Sequence, residues 1–107
     1  MNELDKLREM LKEANIPFIN KQELWAEGGI PLSLIEAYGK NGEWKRNQVT
    51  YGDGLVDCVC HYGSLGARKG LIEVYGALGI DKEGESMIMT AQEVFDIIKK
   101  DWERKNK

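Results

Sequence analysis

The stretch from Trp44 to Gly63, WKRNQVTYGDGLVDCVCHYG, carries the fold. Its first run, WKRNQVTY, is rich in β-branched and aromatic residues and alternates as a half-buried strand does. GDG follows, and then a second such run, LVDCVCHY, from Leu55 to Tyr62. Asp53-Gly54 between two strand patterns is a strong hairpin signal, because both residues tolerate the left-handed conformation that a tight hairpin turn requires. With Asp53 and Gly54 as the two turn residues, Tyr51 faces Val56, Val49 faces Cys58, Asn47 faces Cys60 and Lys45 faces Tyr62. Side chains alternate across a strand. Val49, Tyr51, Val56, Cys58, Cys60 and Tyr62 therefore share an apolar face. Arg46, Gln48, Thr50, Asp57 and His61 share a more polar one.

Working outward, LIEVYG (71–76) reads as a third strand, and residues 77–88, with DKEGE at their centre, as a loop. Thr90 with Glu93 three residues on forms a capping-box signature, and Ala91, Val94, Phe95, Ile98 and Trp102 make the apolar stripe of the helix it opens. At the other end, Leu4, Leu7, Met10, Leu11 and Ala14 recur at helical spacing. Asn15 suits the C-terminal cap, and Pro17 bars continuation. The segment from Phe18 to Asn41 is ambiguous: LSLIEAYG after Pro31 suits the first turns of a helix or a strand, with loops at Gly28-Gly29 and Gly39 to Gly42. The sum is one α+β domain over residues 1–107. It has a small antiparallel sheet of three to four strands, with the N- and C-terminal helices packed on one face.

Bulk properties narrow the function classes. The chain of 107 residues is 42% hydrophobic and 31% charged, with a formal net charge of −3. That balance suits a globular domain and disfavours non-specific nucleic-acid binding, which needs concentrated Lys and Arg. Between Lys40 and Gly70, five cations (Lys40, Lys45, Arg46, Arg68, Lys69) meet three acids (Glu43, Asp53, Asp57), a local excess of positive charge. MNELDKLREMLKE is an amphipathic helix pattern and not a secretory signal, and no apolar run is long enough to cross a bilayer. The chain therefore reads as cytoplasmic, with free thiols.

The chemistry-bearing candidate is the loop CHYGSLGARKG, from Cys60 to Gly70. Its glycines allow main-chain N–H groups to converge on an anion, as in other backbone nests. In that reading Gly63, Ser64 and Gly66 supply amides and a hydroxyl. Arg68 and Lys69 supply charge, His61 makes a further contact, and Arg46 assists from the neighbouring strand. The alternative is a wide hairpin connection with solvated cations. The loop is not a P-loop, because a strand follows where a helix should begin. Cys58, Cys60 and His61 are too tightly spaced for a zinc site, and alternation turns His61 away from both thiols, so buried structural cysteines and no metal or cofactor are expected. His61 as a general base lacks a partner within reach in sequence, since Asp57 lies about 13 Å away along an extended strand. Glu73 on the third strand is the remaining acid for a His-dependent hydrolase. Tyr38, Trp44, Tyr51, Tyr62 and Tyr75 suit either base stacking or core packing, and alternation favours the core for Tyr51 and Tyr62.

His61, Gly63-Ser64-Leu65-Gly66, Gly70-Leu71-Ile72-Glu73-Val74-Tyr75-Gly76 and Thr90-Ala91-Gln92-Glu93-Val94-Phe95 form a pattern spread over a little more than a third of the chain. It resembles that of a group of small phage and prophage proteins of Gram-positive bacteria. Leu65 stands where the group usually has an aromatic residue, and Met89 where it has leucine. The resemblance implies a small viral binding protein acting in the host cytoplasm, with a role in counter-defence. Two expectations follow. One is sequestration of an anionic, nucleotide-like ligand at the glycine loop. The other is a protein-interaction module that inhibits a host or phage protein through the polar strand face and residues 20–42. Self-association through a sheet edge or the polar face is compatible with either.

Overall fold

The computed structural model describes residues 2–24, 44–61 and 64–106. Tyr62, Gly63, the 25–43 segment with Tyr38 and Lys40, and the Lys45–Tyr62 pairing lie outside the described residues.

Helix α1 runs from Glu3 to Glu13 and is capped by Asn2, whose side chain accepts from the Asp5 N–H. Its periodicity buries Leu4, Leu7 and Leu11 completely, each contributing about 1.5–3 kcal/mol. Asn15 takes the left-handed conformation just past the helix, as its position before Ile16-Pro17 suggests. Strands β1 (Ile19–Leu24), β2 (Trp44–Tyr51), β3 (Val56–Val59), β4 (Ile72–Tyr75) and β5 (Met87–Met89) follow, with α2 from Ala91 to Lys105 at the end. Thr90 and Glu93 form the expected reciprocal capping box on α2. The strands pair antiparallel in sequence order. The α+β architecture is as expected, but among the described residues the sheet has five strands instead of three or four. β1 lies in the ambiguous segment after Phe18. β5 lies at the end of the expected 77–88 loop, where Met87-Ile88-Met89 is too short to show a period.

The central hairpin has the expected register: Tyr51 pairs with Val56, Thr50 with Asp57, Val49 with Cys58 and Gln48 with Val59. Its turn is wider than two residues. Gly52, Asp53 and Gly54 are all left-handed, and the Leu55 N–H donates to the Gly52 carbonyl. Adding one residue to each side of the turn leaves the pairing unchanged, because register depends on the sum of the paired positions.

Both helices cover one face. Val49, Tyr51, Val56, Cys58, Cys60, Ile72 and Val74 are buried there with Leu4, Leu7, Leu11, Val94 and Ile98. Two polar ties cross this layer. Arg8, only 6% exposed, donates to the Asn20 and Asn47 side chains and to Asp5, joining α1 to β1 and β2. The Tyr51 hydroxyl donates to Asp101 of α2 at 2.8 Å. Burial and then the Asp101 carboxylate push the Tyr51 phenol up to about 12. Lys105, then Tyr51 and Arg104, hold the Asp101 carboxyl below its ordinary value despite its burial. Tyr51 thus packs in the core with its hydroxyl at the rim. Among the described residues no helix is long and apolar enough to cross a membrane.

Candidate functional site

β3 ends at Val59, three residues short of the Tyr62 to which its apolar alternation runs, and His61 is the reason. The Cys60 N–H donates to the Asn47 carbonyl as a ladder residue would. The Asn47 N–H, however, donates to His61 Nδ1 at 3.0 Å, and the Cys60 carbonyl accepts from the Asn47 side-chain amide instead. The imidazole takes the place of a ladder carbonyl and closes the β2–β3 pairing. Because Nδ1 accepts, the neutral ring carries its proton on Nε2. Burial, then the Arg46 charge, lowers the His61 pKa against the opposite pull of Glu73 and Asp57. The residue that marks the site in sequence is therefore a structural acceptor on the sheet face opposite the helices.

The glycine loop turns back on itself. The Ser64 N–H and hydroxyl both donate to the His61 carbonyl, and the Ser64 oxygen accepts from the His61 N–H. The Ala67 N–H donates to Ser64, the Lys69 and Leu71 N–H groups to Gly66, and the Gly70 N–H to Ala67. A short 3-10 turn over Ala67–Lys69 results, with Ala67 fully buried and Arg68 and Lys69 exposed. The Leu65 N–H donates to Glu73 Oε1 at 2.9 Å. One loop amide is thus taken by an intramolecular carboxylate. Of the groups expected to converge on a ligand, the Ser64 amide and hydroxyl are committed within the chain. Gly63 lies outside the described residues. Gly66 has a packing reason of its own: with φ +82°, an added Cβ would lie 2.8 Å from Ile88 Cγ2.

Glu73 is the centre of this face and is only 5% exposed. Its second oxygen accepts from the Ser86 hydroxyl at 2.7 Å. Burial raises its pKa, but the Leu65 amide and the Ser86 and Tyr75 hydroxyls outweigh that and bring it below the ordinary value. Around it stand three large exposed apolar side chains: Leu65 at 56%, Ile88 at 49% and Tyr75 at 41%. Ile88 is the register partner of Glu73, and Tyr75, two residues on, shares its face. Sequence reasoning missed this cluster. Ile88 and Ser86 fall in the expected 77–88 loop, and Tyr75 reads in sequence as one of several aromatics suited to base stacking or core packing.

The arrangement does not assemble a base. Among the described residues no hydrogen bond links His61 to a carboxylate: Asp57 accepts from Gln48 and Thr50, and Glu73 from Leu65 and Ser86. Nor are the thiols reactive. Burial first, and then neighbouring acids, push Cys58 up to about 12 and Cys60 to about 11, so both stay protonated and act as small apolar groups. On the opposite side, Leu78, Ile97, Lys100, Asp101, Glu103 and Arg104 line an open cavity of about 550 Å³. Its buried acid, Asp101, is already bound by Tyr51, Arg104 and Lys105.

Compared with family models, curated proteins and solved structures, the chain matches none.

Proposed function

We propose that this chain is a small binding module that recognises a protein through the sheet face opposite its helices. In keeping with the phage-type resemblance, the target is a host or phage protein that it inhibits. One observation carries the reading: Leu65, Tyr75 and Ile88 are exposed around a buried, fully hydrogen-bonded Glu73 on a sheet face that no described helix covers. Aromatic and aliphatic anchors on a rigid, preorganised support are what protein interfaces use for affinity. Lys21, Glu23, Arg46 and Asp57 supply a charged rim on the same side of the sheet.

The anionic-ligand reading rests chiefly on the side chains of Arg46, Arg68 and Lys69, since the Ser64 amide and hydroxyl and the Leu65 amide are bonded within the chain. One experiment separates the two. Tagged wild-type chain captures a target from a Gram-positive bacterial lysate, and the identified target is purified and titrated. Tyr75→Ser with Ile88→Asp should weaken binding by about 10–100-fold, the loss of one or two interface anchors. Arg68→Ala with Lys69→Ala should leave it nearly unchanged. Undiminished binding by the first pair, or a nucleotide-induced thermal shift abolished by the second, overturns the proposal.

A further inference from the structure

All six residues of β1, from Ile19 to Leu24, are exposed, and among the described strands the order places β1 at the sheet edge. Which of its main-chain groups face outward follows from the ladder. Cys60 donates to the Asn47 carbonyl, and the Leu55 carbonyl, on the far side of β3, accepts from Leu78. Asn47 and its alternates Val49 and Tyr51 therefore direct their main-chain groups at β3. Arg46, Gln48 and Thr50 direct theirs at β1, because the direction alternates along a strand. Their partners Glu23, Lys21 and Ile19 point back at β2. Among the described residues, Asn20, Gln22 and Leu24 are left presenting N–H and C=O groups away from the sheet. The register shift near Leu24 falls at Lys45 in β2, so β1 itself is regular. Pro17 precedes the strand and no proline interrupts it. Such an edge is a template for another strand.

We propose that this edge pairs with β1 of a second copy, antiparallel, about a two-fold axis at Gln22. A two-fold axis perpendicular to a continuous sheet pairs residues of the same face, so only same-parity registers are allowed. Centring on Lys21 sets the two lysines directly opposite each other. Centring on Gln22 makes Gln22–Gln22 a hydrogen-bonded pair and adds Asn20–Leu24 pairs on either side. It also sets Lys21 opposite the second copy's Glu23, twice, at the non-hydrogen-bonded positions where side chains stand closest. Main-chain direction and charge select the same register. The Asn20 side chain, held by Arg8, already donates to Gln22 Oε1 at 3.0 Å, which fixes the central glutamine along the strand. The product is a continuous sheet of ten described strands, with the four described helices on one side and both proposed recognition faces on the other. A six-strand-residue contact is small, so the association is weak and concentration-dependent.

Sedimentation velocity over a concentration series tests this. The wild-type chain should shift from monomer to dimer with concentration. Gln22→Pro removes an N–H that serves only the outer edge, and should give a monomer with unchanged circular dichroism. Lys21→Glu alone and Glu23→Lys alone each place like charges opposite each other and should be monomeric. Mixing these two variants should restore a dimer, because every cross-strand pair then has opposite charge. A wild-type chain that stays monomeric up to its solubility limit overturns the proposal. So does a Gln22→Pro variant that associates like wild type, or a mixture of the charge variants that stays monomeric. Capture of an unrelated protein's strand by a monomeric chain also counts against self-pairing. None of these outcomes bears on the Tyr75–Ile88 face, so the two proposals fail separately.

Discussion

His61 and Glu73 show how one residue can be conspicuous in sequence for a reason other than chemistry. His61 accepts the Asn47 N–H, and its pKa is lowered, chiefly by burial and then by Arg46. The folded state therefore prefers the neutral ring, whereas the unfolded chain takes up a proton at about 6.5. The stability this contributes is complete above about pH 6.5 and is lost as pH falls through the folded value. Urea titrations between pH 7.5 and 5 should show wild-type stability falling with acid. His61→Ala should be less stable by about 1–3 kcal/mol at pH 7.5, the cost of an unpaired amide, with a flatter profile across that range. His61→Asn retains an acceptor without the titration, and should recover part of the loss while keeping the flat profile. An unaltered acid slope in both variants would remove His61 from this role. Glu73 has the same sign lower down: its depressed pKa holds stability above about 4.5 that is lost as pH falls further. The single histidine was legible as a marked position, but its role was not. The Asn47 N–H that claims it sits fourteen residues earlier, and a spacing cannot show that a ladder bond has been exchanged for a side-chain one.

Elements whose sequence carries both a period and a boundary signal were legible nearly to the residue. β2 spans Trp44–Tyr51 as read, and α2 opens at Thr90 with its capping box. Thr90→Ala should cost about 1 kcal/mol, by losing the side-chain acceptor for the Glu93 N–H. That corresponds to a fall in Tm of roughly 4–8 °C by calorimetry for a domain of this size. A change under one degree would mean that the contact of the Ala91 N–H with Glu3 Oε1 alone holds this helix end. The short or polar strands were not legible. β1, INKQEL, has no apolar alternation because both of its faces are exposed, and three-residue β5 offers no period at all. Their pairing comes from neighbours: β2 supplies an unpaired edge for β1, and β4 for β5. The buried Arg8 was hidden for a related reason. It reads as part of a charged helix face, yet Asn20 and Asn47, on two different strands, supply the acceptors that let a guanidinium enter the core layer.

At the scale of the whole molecule, stacking both described helices on one side leaves the other side of the sheet uncovered by them, the side proposed to serve recognition. The glycine loop, which looks in sequence like a cradle, closes over that sheet by donating its Leu65 amide to Glu73. It thereby presents Leu65 beside Tyr75 and Ile88. The candidate region was thus legible as a stretch of chain, from His61 to Tyr75. Its chemistry was not, because Ile88 and Ser86 join it only through the β4–β5 pairing. The most direct test is amide chemical-shift mapping of the isotopically labelled chain during titration with its purified target. The largest changes should fall on Val59, Leu65, Glu73, Tyr75 and Ile88, with the helical amides of Lys6, Glu9, Gln92 and Lys99 nearly still. Changes confined to those helical amides, or to Ala67 through Gly70 alone, would contradict it.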